Sequence, residues 1–362
     1  MNKPTGLYIH IPFCKSKCPY CDFYSLANAD EYKEEYKKAV IRNLDYYSDI
    51  TFDTVYFGGG TPILLWREIC GILDSIGDRI TNNAEITIEA NPCSTDFNSL
   101  CSLKQSGVNR ISFGLQSGVD DELKALGRRH SSKSGLEAVL AAEKAGFKNV
   151  SADIMLGIPF QTEKSLNESL SYLTDMPISH ISAYMLKIEP GTPFAKKKVA
   201  PANDEQMSKF YLKAVSHFQQ NGYFQYEISN FSLKGYESRH NLKYWNCEEY
   251  IGIGPSAHSY YNGKRFSVDR NLHGFIGSPL QETIVTDENP GGYDEWAMLK
   301  LRLSEGIDFK TAKSRYNIGK EQILSRCKLI PKEYIEITDS GIRLTAKGFL
   351  VSNAIIGIIS DI

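Results

Sequence analysis

The stretch HIPFCKSKCPYCDFYS, residues 10–25, sets Cys14, Cys18 and Cys21 in a C-x3-C-x2-C run and then places Phe23, not a fourth cysteine, two residues beyond the last thiol. Thiolates packed this closely are ligands for iron or zinc. A four-iron cluster is usually held by four cysteines, so three leave one iron with an open position for a small molecule. The competing reading is a Cys3His zinc site that uses His10, four residues ahead of Cys14. His10 lies inside an apolar strand pattern, however, and a structural zinc site gives no reason for the polar loops that follow. The iron reading accounts for more of the chain.

Working outward, 362 residues are enough for about two domains with a sizeable core. With 42% hydrophobic and 23% charged residues the composition is that of an ordinary globular protein. A formal charge of -2 supplies no overall field for nucleic acid or an anionic membrane surface. No apolar run approaches the 18 or so residues that span a bilayer, and MNKPTGLYIHIP lacks the pattern of a secretory leader, so a cytoplasmic protein is expected. Of eight cysteines, Cys70, Cys93, Cys101, Cys247 and Cys327 are scattered and read as small buried hydrophobes rather than a disulfide framework.

Short β-branched or aromatic runs recur at 7–11, 54–57, 85–89, 110–113, 149–156 and 180–186. Between them lie segments with apolar residues at helical spacing, such as DEYKEEYKKAVIRNL and SGLEAVLAAEKAGF, the latter with Gly146 at the C-cap position. Alternating strands and helices imply parallel pairing through right-handed crossovers. The strands look apolar on both faces, which predicts a helix-covered sheet, either doubly wound or an incomplete (β/α) barrel with its chemistry at the strand C-terminal ends. Those ends carry the cysteine loop, GGGTP, NP, GLQS and GIP in turn. Gly58, Gly59 and Gly60 suit a tight turn, or bare N–H groups approaching a polar ligand. Glu89, Gln116 and Asp153 suit helix caps or turns singly, but on one shared rim they suit a site.

These residues resemble a known superfamily. CKSKCPYC is similar to the cluster motif of radical S-adenosylmethionine proteins. YIHIPFC, GGGTP, EANP, RISFGLQS and DIMLGIP resemble the branch that contains oxygen-independent coproporphyrinogen III oxidase and the HemW-type haem chaperones. The resemblance implies an α/β fold: a partial (β/α)6 TIM-like radical SAM barrel over residues 1–200, and over 201–362 a C-terminal α+β extension ending in a winged-helix-like unit. It also implies a [4Fe-4S] cluster on Cys14, Cys18 and Cys21, with S-adenosylmethionine chelating the fourth iron. Tyr8, Gly59, Gly60, Thr61, Glu89, Gln116, Arg128 and Asp153 would line the pocket for that ligand, Arg129 being the alternative to Arg128. The glycine loop would offer N–H donors to its amino acid end, and Glu89 or Asp153 would accept from an ammonium or from ribose hydroxyls.

Two features separate the branches. In the oxidase the motif continues to a fourth cysteine, where this chain has Phe23, and the oxidase carries an N-terminal extension, whereas Cys14 here follows only thirteen residues. A third feature is RHNLKYW, residues 239–245, similar to the HNxxYW signature of the haem chaperones. His240 would be an axial haem ligand, or a hydrogen-bonded residue of a core or seam; Tyr244 and Trp245 would give flat apolar faces to the macrocycle. AKKKVAPAND, 195–204, reads as a solvated linker and 204–221 as a helix. The final strand, turn, strand, helix pattern lacks the basic excess of a DNA binder. The expectation is a haem chaperone without coproporphyrinogen oxidase activity that uses a cluster, S-adenosylmethionine and haem. Its expected partners are haem-accepting clients, membrane respiratory enzymes among them, and a second copy in a homodimer; it neither binds nucleic acid nor spans a membrane. The alternative is the oxidase itself.

Overall fold

The computed structural model describes residues 4–361; Met1–Lys3, part of the stretch read for a leader, and Ile362 lie outside the described residues. The six runs form β1 (Thr5–Ile11), β2 (Phe52–Gly59), β3 (Ile80–Ala90), β4 (Arg110–Gln116), β5 (Asn149–Leu156) and β6 (His180–Met185). Each strand pairs in parallel with the next, and helices fill the intervals. The helix Ser132–Lys144 shows why: Ser131 and Ser134 make a capping box, and the buried residues Gly135, Ala138, Val139 and Ala142 form one stripe. Gly146, at φ +91°, ends it as the sequence suggested.

One expectation is corrected here. The strands are apolar only on the face that the helices cover, where Leu7, Ile9, Val55, Phe57, Ile88, Ile111, Phe113 and Val150 are all fully buried. The alternate positions are polar: Tyr8 and His10 on β1, Thr54 and Tyr56 on β2, Glu85 and Glu89 on β3, Arg110 and Ser112 on β4, Asp153 on β5. These side chains meet one another across strands, so the sheet curls around a polar interior whose rim is the strand C-terminal end.

The sheet does not stop at residue 200. Beyond β6 it gains, antiparallel, Asn230–Ser232 and then Phe224–Gln225; on its other side Tyr250–Ile253 lies parallel to β1, followed by His258–Tyr261, Lys264–Val268 and Thr283–Asp287. The later part of the chain is thus built onto the same twelve-stranded sheet. The helix expected over 204–221 spans Asp204–Gln220, and AKKKVAPAND joins it to the sheet with its three lysines exposed. Near the C-terminus, Ile307–Asp308, Ile335–Ile337 and Gly341–Leu344 form a separate three-stranded sheet with helices at Phe309–Tyr316, Lys320–Cys327, Ala346–Leu350 and Ser352–Ser360. No helix among the described residues is long and apolar enough to cross a membrane.

Candidate functional site

The cysteine loop leaves β1 and lies across the barrel mouth. Phe13–Cys14 pairs with Leu26–Ala27, the Phe194 N–H donates to the Pro19 carbonyl at 2.9 Å, and the Tyr20 ring packs on Phe194. Cys14, Cys18 and Cys21 are free and half-buried. Burial pushes the Cys21 thiol up, and Cys18 and Cys14 add to that push. Thr61 Oγ1 is 3.5 Å from Cys14 Sγ, and Arg128 donates one guanidinium N–H to Cys18 Sγ and another to the Gly114 carbonyl. Arg129 is exposed, and it is Arg128 that packs against Cys18.

His10 removes the zinc alternative. Its Nδ1 is 3.0 Å from the Tyr8 hydroxyl and its Nε2 is 2.9 Å from the Tyr24 carbonyl, so both nitrogens face inward partners. Burial pushes it down to about 4, against the Tyr24 carbonyl and with help from Arg270 and His258. Among the described residues no three His, Cys, Asp or Glu groups converge to hold one metal ion. A four-iron cluster needs no such convergence, because each thiolate takes a different iron. Three thiols on one loop, none in a disulfide, with Thr61 within hydrogen-bond reach of Cys14 and Arg128 donating to Cys18, fit that group.

The glycine turn is tighter than the sequence implied. Gly59 has φ +112°, and a Cβ there would lie 2.7 Å from the His10 ring; one on Gly60 would lie 2.6 Å from the Phe13 carbonyl oxygen. The expectation that this turn offers N–H donors is corrected. The Gly59 N–H donates to Glu89 at 3.1 Å, Gly60 to the Ile11 carbonyl at 2.7 Å and Thr61 to the Phe13 carbonyl at 2.8 Å.

Below the rim, Glu89 also accepts from the Tyr56 hydroxyl at 2.9 Å. Burial, and then Asp153, push it up to about 7 against the pull of Tyr56, Gly59 and Arg110. Asp153 accepts from Ser112 at 3.3 Å and is pushed up to about 6 by burial, opposed by Ser182, Arg110, Ser112 and Arg128. Tyr8 lies against Tyr56, and Gln116 ends β4 at φ +71°, a costly conformation for a side chain of its type. Gly59, Gly60, Thr61, Glu89 and Gln116 stand at the ends of β2, β3 and β4, Arg128 in a later loop, and Tyr8 and Asp153 further inside on β1 and β5. Sequence reading missed Tyr56, Arg110, Ser112 and Tyr184. For two of them a signal was present: Tyr56 stands two residues before Gly58, and Ser112 two before Gly114, along strands that alternate.

RHNLKYW packs against the same interior, below Tyr8 and Tyr56. The helix Arg239–Trp245 is held by Glu85, in the middle of β3, whose carboxylate accepts the Arg239 and His240 N–H groups at 3.1 and 3.0 Å. His240 is fully buried: Nδ1 is 2.8 Å from Thr54 Oγ1, Nε2 is 2.7 Å from the Tyr244 hydroxyl, and its ring stacks on Tyr56. Burial, then Lys243 and Arg110, push it down to about 3. Neither nitrogen is open to an iron, which corrects the expectation of an axial ligand. Its place is the second reading, a hydrogen-bonded residue at a seam. Tyr244 and Trp245 are half-buried.

Comparison with known proteins identifies the family and the fold. The Radical SAM superfamily model matches residues 8–173 and the HemN C-terminal domain model residues 293–351, which defines the class as a radical SAM protein with a HemN-type C-terminal region. The fold of coproporphyrinogen III oxidase (HemN) from Escherichia coli superimposes with a TM-score of 0.83 at 19% identity, covering 99% of this chain and 90% of that one. "Heme chaperone HemW" of Bacillus subtilis is 34% identical over 372 residues, 97% of each chain. The protein of that name from Buchnera aphidicola is 34% identical over 375 residues, 99% of each. The chain belongs to the HemW family.

Proposed function

We propose that this protein is a haem chaperone: it binds haem and hands it to haem proteins, and it carries a [4Fe-4S] cluster and S-adenosylmethionine at the barrel mouth. The observation that carries the reading is kinship over nearly the whole chain with proteins named heme chaperones, joined to Phe23 at the place where the oxidase motif has its fourth cysteine. Cys14, Cys18 and Cys21 would hold the cluster, which supplies an iron with an open position when bound. The carbonyls of the Gly59–Thr61 turn would accept from the ligand's ammonium. Glu89 and Asp153 would accept from its remaining donors, with Tyr8 and Gln116 as walls and Arg128 turned to Cys18. Clients, respiratory enzymes of the membrane among them, and a homodimer belong to the same proposal. So do the division near residue 200, the winged-helix-like end and residence in the cytoplasm.

The test is a haem titration by absorption on anaerobically reconstituted protein, with the same sample assayed on coproporphyrinogen III, S-adenosylmethionine and a reductant. Stoichiometric haem binding without decarboxylation is expected. Decarboxylation would replace this reading with the oxidase. Cys14→Ser should lose the cluster, and full iron content in that variant would remove Cys14 as a ligand.

A further inference from the structure

We propose that the Glu89–Asp153 pair is the charge-selecting element of the mouth, and that binding a cationic nucleoside such as S-adenosylmethionine releases a proton from it. The inference rests on the reading that this pocket takes S-adenosylmethionine.

The two carboxyls belong to β3 and β5 and share one interior. Glu89 is faced by Tyr8 from β1, Tyr56 and the Gly59 N–H from β2, Arg110 from β4, Asp153 from β5 and Tyr244 from the Arg239–Trp245 helix. Tyr184 faces both acids from β6. Asp153 is faced by Arg110 and Ser112 from β4, Ser182 from β6 and Arg128 from the loop ahead of the Ser132–Lys144 helix. Both cations serve others first: Arg128 is bonded to Cys18 and Gly114, and Arg110 is shared with Glu85. The direct donors to the pair are hydroxyls and one N–H, not cations. Burial is the main cause that raises the two carboxyls, to about 7 for Glu89 and about 6 for Asp153, and Asp153 adds to the push on Glu89. A cation arriving from the mouth favours both as carboxylates. The O–H bond of the protonated acid then breaks, and its proton leaves to buffer.

The test is calorimetric titration of the anaerobically reconstituted full chain with S-adenosylmethionine, in two buffers of different ionisation enthalpy, at pH 6.5 and 8.5. Wild type is compared with Glu89→Gln and Asp153→Asn, so that the ligand's own amino titration, common to all, cancels. A group of pKa about 7 is about three-quarters protonated at pH 6.5, so wild type should release about that much more proton than Glu89→Gln there, and no more at pH 8.5. The wild-type dissociation constant should tighten about tenfold more than that of Glu89→Gln between pH 6 and 8. Wild type should also prefer the sulfonium over its thioether, S-adenosylhomocysteine, more strongly than Glu89→Gln does at pH 8.5. Tyr56→Phe, which removes a donor to the Glu89 carboxylate, should move the half-release pH upward, and this variant keeps the test open if Glu89→Gln does not fold. Equal proton counts in wild type and Glu89→Gln at pH 6.5, or an unmoved midpoint in Tyr56→Phe, would overturn the proposal. No binding heat in wild type at either pH would instead overturn the reading of the pocket.

Discussion

Replacing His240 by Ala separates a strut from a haem ligand. The ring bonds two buried hydroxyls, Thr54 at 2.8 Å and Tyr244 at 2.7 Å, and stacks on Tyr56 with centroids 5.2 Å apart. Two lost hydrogen bonds are worth about 2 kcal/mol. The ring contacts and the cavity left behind add about 1–2 kcal/mol, for a total of about 3–4 kcal/mol. For 362 residues the unfolding entropy is about 0.76 kcal/mol/K, so the melting temperature should fall by about 4–5 °C. Scanning calorimetry on the anaerobic protein measures this, and a haem titration of the same variant should show an unmoved Soret band. A stability loss below about 1 kcal/mol together with a shifted Soret band would refute the reasoning, because the ring would then serve the iron and not the seam.

Three further outcomes are expected. Glu227, 1% exposed, has its carboxyl pushed up by burial from 4.5 to about 7. An acid whose folded value exceeds its unfolded one costs stability as pH rises from 4.5 to 7, so Glu227→Gln should be more stable than wild type by up to about 3 kcal/mol at pH 8 and equal to it near pH 4.5, by urea denaturation. Lys243, 5% exposed, reaches Asp53 at 2.9 Å and Glu248 at 3.3 Å. Lys243→Met should cost about 3 kcal/mol in the same assay by leaving the Asp53 charge uncompensated, and adding Asp53→Asn should recover part of the loss. Gly60→Ala drives a Cβ to 2.6 Å from the Phe13 carbonyl oxygen, so it should destabilise by about 2–3 kcal/mol and lower the iron retained after reconstitution. Wild-type iron content in that variant would show that the turn does not hold the cysteine loop.

Much of this molecule is local and was therefore legible along the chain. The C-x3-C-x2-C run, Phe23 behind it, the alternation of strand and helix, and Gly146 as a helix end each depend on residues a few positions apart, where spacing alone sets geometry. Tertiary structure decided whatever depends on a distant partner. His240 reads as a candidate ligand until Thr54, 186 residues away, occupies one nitrogen and Glu85 takes the helix N–H groups. Arg128 and Arg129 are chemically identical neighbours, and only packing turns the first toward Cys18. The N–H groups of Gly59, Gly60 and Thr61 look free in sequence, yet β1, its following loop and Glu89 use all three. The polar interior escaped notice because Tyr8, Tyr56, Glu89, Arg110 and Asp153 stand on five separate strands. Each run is too apolar on average to announce its alternate face, and only the closing of the sheet brings those five side chains together.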